Sequence, residues 1–327
     1  MEYRISKVQS MQENGSMQYP AIASYRDAKA QSRLAFVIDG ALYDAAAAKV
    51  AGVPFEDAWL AGGWMAILAQ WDRAASVVKD ALAKAAALAK DGKLAALPKD
   101  TRVLAPFRAE RIFCAASNYI EHANEMGTVL AAKAQSKPYM FLKLRNTVIG
   151  QGDDILMPPE TSQLDWEIEL AAVIGKGGRR IPLDKALDHV AGYSIVNDIS
   201  ARDLNMREDY PFTFDWFQGK CHDTFAPFGP CIVPAWSISD PQGVMMTLTV
   251  NKDEMQKDTT KNMIWTLREQ ISYLSTIVTL EPGDVIATGT PTGVGMGRGV
   301  YLKAGDVVTA TIDGIGSITN KVVAEKV

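Results

Sequence analysis

Three acidic positions carry the most chemistry in this chain. The segment Leu164-Asp165-Trp166-Glu167-Ile168-Glu169-Leu170 alternates acidic and apolar residues. A strand with that pattern puts Asp165, Glu167 and Glu169 on one face and Trp166, Ile168 and Leu170 on the other. Glu167 and Glu169 then sit about 6.5–7 Å apart along the backbone. Two like charges on one face repel unless solvent or a cation lies between them. A hard ion such as Mg²⁺ or Mn²⁺ takes oxygen ligands at roughly 2.0–2.2 Å and keeps open positions for water or substrate. The plain alternative is a solvated strand face. Against it, Ala171-Ala172-Val173-Ile174-Gly175 continues as an apolar run and carries the strand into a core. Asp198 is the third candidate. It stands where an apolar run ends and a polar turn begins, and strand ends often carry functional groups; alone, it could equally cap that turn.

Strands must hold these side chains. Short strands are predicted at 111–115, 139–143, 164–174, 190–199, 245–250, 284–288 and 306–312, separated by Gly and Pro turns. One amphipathic helix is predicted near 261–279. Nearer the N-terminus, apolar runs flank Asp39-Gly40, a two-residue hairpin turn. An Ala- and Leu-rich helix is predicted from Trp64 to about Lys90, ended by Asp91-Gly92. Residues 93–107, with two prolines, read as a linker. The chain thus divides into a small N-terminal α/β domain over 1–100 and a larger domain over 101–327. Roughly the first 25 residues are expected to be loosely ordered. Many strands and few helices make the fold α+β, mostly β.

Composition excludes several classes of partner. A net charge of −4 gives no reason to expect nucleic acid or an anionic membrane surface. No stretch reaches 18 apolar residues without charge, and the first twenty residues lack the apolar core of a signal peptide. Cys114, Cys221 and Cys231 are widely spaced and form no CxxC pair, so neither a zinc ribbon nor a disulfide framework is expected. A reduced, cytoplasmic setting fits that usage.

Five blocks, in order, resemble the fumarylacetoacetate hydrolase (FAH) family. They are RIFCAASNYIEHANEMG (111–127), DWEIELAAVIG (165–175), GYSIVNDISARD (192–203), GKCHDTFAPFGP (219–230) and LEPGDVIATGTPTGVG (280–295). The resemblance spans about Thr101 to Lys321. It implies a mixed β-roll catalytic domain, usually in a homodimer. It also implies that Glu167, Glu169 and Asp198 bind Mg²⁺ or Mn²⁺, that His122 and Glu125 form the family's His/Glu pair, and that Lys220 and Thr290 take its Lys and Thr positions. These residue types suit those roles. His122 and Glu125 are three apart, so on a helix they share a face, and a carboxylate beside an imidazole raises its basicity. Lys220 would meet the substrate or developing enolate. Thr290 lies between glycine-containing turns, where backbone N–H groups can approach a carboxylate.

Asn205 stands where many relatives carry Gln, Gln218 where many carry Arg, and Ala116-Ser117 replaces the usual pattern before Asn118. These positions are expected to face the pocket, with Asn205 contacting substrate, so the substrate does not carry over from any relative. His189 reads as structural, whereas His222 is equally compatible with the pocket wall. The expected reaction is metal-dependent hydrolysis of a carbon–carbon bond in an acylpyruvate-type 1,3-diketo acid, with His122 activating water and residues around 119–135 covering the substrate. Decarboxylation of an oxaloacetate-type acid and isomerisation of a hydroxymuconate-type diacid use the same metal–enolate chemistry. A non-catalytic binding protein of this fold would have lost a metal ligand or the His/Glu pair, and all are present.

Overall fold

The structure is a computed structural model that describes residues 17–127 and 130–326. Among the described residues, eleven strands join in one large sheet. Its main path runs Ala41–Asp44, Ser32–Ile38, Ala21–Arg26, Ala226–Pro234, Val190–Asn197, Ile168–Ile174, Val285–Ala287, Arg111–Ala116 and Tyr139–Leu144. A five-stranded sheet has the order Asp253–Thr259, Met245–Val250, Val307–Ile312, Gly316–Ala324 and Ile155–Met157. Leu164–Asp165 pairs with Ser200–Ala201 as a separate small ribbon. The strand-rich α+β class expected from the sequence is the class observed.

The hairpin at Asp39-Gly40 forms with both residues at positive φ, 48° and 75°, which matches the twist of its strands. The long helix begins at Trp71 and ends at Lys90, with a separate helix Asp57–Leu68 before it. The expectation of loose order fails from Ala21 onward: Ala21–Arg26 is a strand with five buried residues, paired along its length with Ser32–Ile38. Residues 1–16 lie outside the described residues. The N-terminal strands join the large sheet where Ile22 faces Ile232, and Trp59, Trp71 and Val78 share a core cluster with Val173 and Ile232.

Two strand expectations are corrected. The predicted strand 164–174 breaks at Trp166 and Glu167, because its two ends pair with different partners. Asp165 pairs with Ser200, whereas Ile168 pairs with Asn197. Side chain and backbone fill the gap: the Glu167 N–H donates to Asn197 Oδ1 (2.9 Å), and the Asp198 N–H donates to the Glu167 carbonyl (2.8 Å). No strand was expected over Ala226–Pro234, where Pro227, Pro230 and Pro234 argue against a central ladder. It nevertheless lies mid-sheet, fully buried. Pairing with Val190–Asn197 shifts register between Tyr193 and Ile195, and the Ser194 hydroxyl lies 3.0 and 2.8 Å from the carbonyls of Gly229 and Cys231, serving acceptors that flank Pro230. The predicted helix 261–279 is confined to Leu267–Ile277, because Thr266 and Glu269 form a capping box that starts it there.

Candidate metal centre

The register of the central strands decides what faces what. Glu169 lies inside Ile168–Ile174, Glu167 just before it, and Asp198 directly after Val190–Asn197, which pairs antiparallel with it. Glu167, Glu169 and Asp198 each bring an oxygen within 4.8 Å of the others', and all three are buried. Oxygens on opposite sides of one Mg²⁺ or Mn²⁺ are about 4.2 Å apart, so a small side-chain rotation closes this set on an ion. The solvated-face alternative is excluded, since Asp165, Glu167 and Glu169 are all buried.

Three buried cations share the charge. Lys220 Nζ lies 2.8 Å from Glu167 Oε2 and 2.7 Å from Asp198 Oδ2. Arg202 donates through Nη2 to Glu167 Oε1 (2.5 Å) and through Nε to Asp165 Oδ2 (2.8 Å). Lys143, fully buried, donates to Asp198 Oδ1 and to the carbonyls of Ile199 (2.8 Å) and Phe225 (2.7 Å). Asp165 also accepts the N–H groups of Gly295 (2.6 Å) and Met296 (2.9 Å).

The electrostatics are uneven. Burial opposes ionisation of Glu167, but the charges of Lys220 and then Arg202 hold its carboxyl well below the usual range. Burial likewise opposes the Lys220 ammonium, and Asp198 and Glu167 more than offset it, raising its pKa. Glu169 is different. Its hydrogen bond among the described residues is from the Gly289 N–H (2.7 Å). Burial first, then the charges of Asp198 and Glu167, push its carboxyl well above the usual range. Asp165, Glu167 and Asp198 offset Lys143, Arg202 and Lys220, while Glu169 keeps its proton and would ionise on binding a divalent ion, which makes the loaded set one positive. An oxygen-only donor set with one carboxylate lacking a cationic partner fits a hard divalent ion.

The other expected site residues sit around this cluster. His122 is buried on the short helix Ile120–Glu125. Its Nδ1 is 3.7 Å from Glu125 Oε2, an ion-pair distance rather than a hydrogen bond. Glu125 instead accepts the Gly293 N–H through both oxygens (2.9 and 3.1 Å). The expected cover over 119–135 contributes this helix; residues 128–129 lie outside the described residues. Thr290 is buried one residue past the Gly289 N–H that holds Glu169, and Gly289 adopts φ +97°, a conformation that favours glycine. Asn205 is buried against Gly219, where any Cβ would overlap its Oδ1, so the glycine before Lys220 makes room for Asn205. His189 Nδ1 donates to the Lys176 carbonyl (2.7 Å), a partner outside the cluster. His222 lines an open cavity of about 730 Å³ with Asp203, Arg207 and Gln218.

Sequence reasoning missed Lys143, Asn197 and Gln256, and gave no role to Asp165 or Arg202. The signal for Lys143 was a lysine on a predicted apolar strand. For Asp165 and Arg202 it was their place inside two of the five blocks.

The comparisons agree with this geometry. The Fumarylacetoacetate (FAA) hydrolase C-terminal domain matches residues 111–323. A mitochondrial oxaloacetate tautomerase of Bos taurus is 39% identical over 260 residues, 78% of each chain. The structure of a fumarylacetoacetate hydrolase from the psychrophile Exiguobacterium antarcticum superposes with a TM-score of 0.73 at 33% identity, covering 94% of this chain and 100% of that one. A fumarylpyruvate hydrolase from Pseudomonas aeruginosa, in complex with Mn²⁺ and pyruvate, gives a TM-score of 0.60 at 35% identity over 66% of this chain and 91% of that one. With the family domain across most of its length and the acidic triad assembled at one buried point, this chain belongs to the fumarylacetoacetate hydrolase family of enzymes.

Proposed function

We propose that the chain moves a proton at the carbon beside the keto group of a small keto-acid anion, with tautomerisation of an oxaloacetate-type acid as its reaction. One observation carries this reading: the buried imidazole of His122 stands on a helix tied through Glu125 to Gly293, in the loop whose Gly289 and Gly295 N–H groups hold Glu169 and Asp165. Glu167, Glu169 and Asp198 would hold that ion, Mg²⁺ or Mn²⁺, and it supplies Lewis-acid stabilisation of charge on the keto oxygen. The His122 imidazole takes the C3 proton. The C–H electron pair becomes the C2–C3 double bond, and the proton returns to the C2 oxygen. Lys220, fixed between Glu167 and Asp198, adds positive charge beside the developing enolate. Asn205 and Thr290 contact the substrate's polar ends. Glu125, committed to Gly293, orients His122 electrostatically rather than forming a tight water-activating dyad. Similarity to the bovine tautomerase supports the same choice.

Hydrolysis of an acylpyruvate carbon–carbon bond is the second reading. The His122–Glu125 ion pair favours it, since water must then be deprotonated, and so does the likeness to the pyruvate-bound fumarylpyruvate hydrolase. Proton NMR of purified protein with Mn²⁺ separates the readings. Tautomerisation interconverts enol and keto oxaloacetate with no new carbon skeleton. Hydrolysis releases pyruvate and a second acid from an acylpyruvate, and decarboxylation converts oxaloacetate to pyruvate. No acceleration of enol–keto exchange above the Mn²⁺ blank would end the first reading.

A homodimer is the assembly we propose. The strand Tyr139–Leu144 is an edge of the large sheet and exposes Tyr139, Leu142 and Leu144. Trp216 stacks on Phe141 and Phe214 beside them, and Phe212, Phe214 and Phe217 are exposed. An unpaired edge with an apolar patch suits a second copy. Light scattering at micromolar concentration tests it, and a monomeric mass would refute it. Among the described residues, no helix is long and apolar enough to cross a membrane.

A further inference from the structure

We infer that Gln256 is a positioning residue that sets the polarity of the Thr290 hydroxyl, so that Thr290 presents its hydrogen to the carboxylate of a bound keto acid. The inference rests on the function proposed above and names a residue that reading does not use. Gln256 is 1% exposed on Asp253–Thr259, an edge strand of the five-stranded sheet. Its amide crosses to the metal side and makes three bonds there. Oε1 accepts the N–H of Ile168, the residue between Glu167 and Glu169 (3.1 Å). Nε2 donates to the Pro291 carbonyl (2.8 Å) and to Thr290 Oγ1 (2.8 Å).

These partners leave one orientation of the amide. A backbone N–H can only donate, and a backbone carbonyl can only accept. Turning the amide over would set its NH₂ against the Ile168 N–H and its oxygen against the Pro291 carbonyl. Both would be buried clashes of like polarity, each costing a hydrogen bond. The Nε2 hydrogens are therefore directed at Pro291 O and Thr290 Oγ1, and Thr290 must accept. A hydroxyl that accepts from Gln256 keeps its own hydrogen to donate. That hydrogen has no acceptor among the described residues. Thr290 adjoins Gly289, whose N–H holds Glu169, so the free donor stands at the edge of the metal cluster. A substrate carboxylate is an acceptor without a donor, and the hydroxyl is set to match it. Gln256 does this without touching the substrate.

The test is a double-mutant cycle read by calorimetric titration of pyruvate in saturating Mn²⁺, with Mn²⁺ affinity measured separately. The proteins are wild type, Gln256→Met, Thr290→Val, Thr290→Ser and the Gln256→Met/Thr290→Val double variant. We expect Gln256→Met and Thr290→Val each to weaken pyruvate roughly tenfold or more, the loss of one hydrogen bond to a charged group. The double variant should bind no more weakly than Thr290→Val. Thr290→Ser should bind like wild type. Mn²⁺ affinity should stay within about threefold throughout. Additive losses, or wild-type pyruvate binding by Gln256→Met, would overturn the inference. So would a parallel loss of Mn²⁺ affinity, because Gln256 would then act through the Ile168 strand alone. If Gln256→Met does not fold, unchanged binding by Thr290→Val still overturns it. Wild type that binds Mn²⁺ but not pyruvate would instead sink the proposed function, and this inference with it.

Discussion

Replacing Glu169 by Gln should make the metal-free protein more stable while removing its response to metal. Glu169 is buried and faces Asp198 and Glu167 without a cation of its own, so its carboxyl is held well above the usual range. Such a group binds its proton more tightly folded than unfolded. Stability is therefore lost as pH rises above the free carboxyl's 4.5, until the folded group itself ionises. Each unit between 4.5 and neutrality costs about 1.4 kcal/mol, or roughly 3–4 kcal/mol at most by pH 7. Glutamine removes that cost. Its amide oxygen still accepts the Gly289 N–H, and its NH₂ can donate to the neighbouring carboxylates. Unfolding entropy for 327 residues is about 0.7 kcal/mol per degree, so the gain is up to roughly 5 °C. Differential scanning calorimetry with EDTA, from about pH 5 to 7.5, should show wild-type Tm falling relative to the variant as pH rises. Adding Mn²⁺ should raise the wild-type Tm strongly and the variant's little. A variant several degrees less stable in EDTA, or as responsive to Mn²⁺ as wild type, would refute the reasoning.

Four further outcomes follow from the same geometry. Lys143→Met leaves Asp198 and two backbone carbonyls short of a buried donor, so it should cost about 3–5 kcal/mol and lower Tm by roughly 4–7 °C; a shift under about 1 °C would contradict that. His122→Ala should reduce turnover by about 10²–10⁴-fold with Mn²⁺ affinity nearly unchanged, and full activity would remove His122 from the reaction. Chelation with EDTA should abolish turnover and Mn²⁺ should restore it; activity that persists after dialysis with no bound metal would argue against the centre. At Glu269, burial opposes the charge, but Lys133 and the Thr266 N–H and hydroxyl outweigh it and lower the carboxyl's pKa. Its support for the helix Leu267–Ile277 is thus complete above 4.5 and is lost as pH falls through the lower folded value. Tm of Glu269→Gln should therefore converge on wild type as pH is lowered from 4.5 through the folded value, and a constant gap at all pH values would count against the pairing.

The acidic alternation at 165–169 and the apolar-to-polar junction at Asp198 were legible because strand period and strand ends are local properties of a sequence. So were the Asp39-Gly40 hairpin and the terminus at Asp91-Gly92. Only tertiary structure decided that the 164–174 segment splits, that Ala226–Pro234 enters the sheet despite three prolines, and that Glu125 bonds Gly293 instead of gripping His122. It also decided how the charge is shared. Lys143 reaches Asp198 across 55 residues, Arg202 reaches Asp165 across 37, and Gln256 reaches Thr290 across 34. Local windows record a residue's preference for strand or helix, but not which distant strand becomes its neighbour. That choice is made by burying the whole set of strands together, and it determines which cation meets which carboxylate.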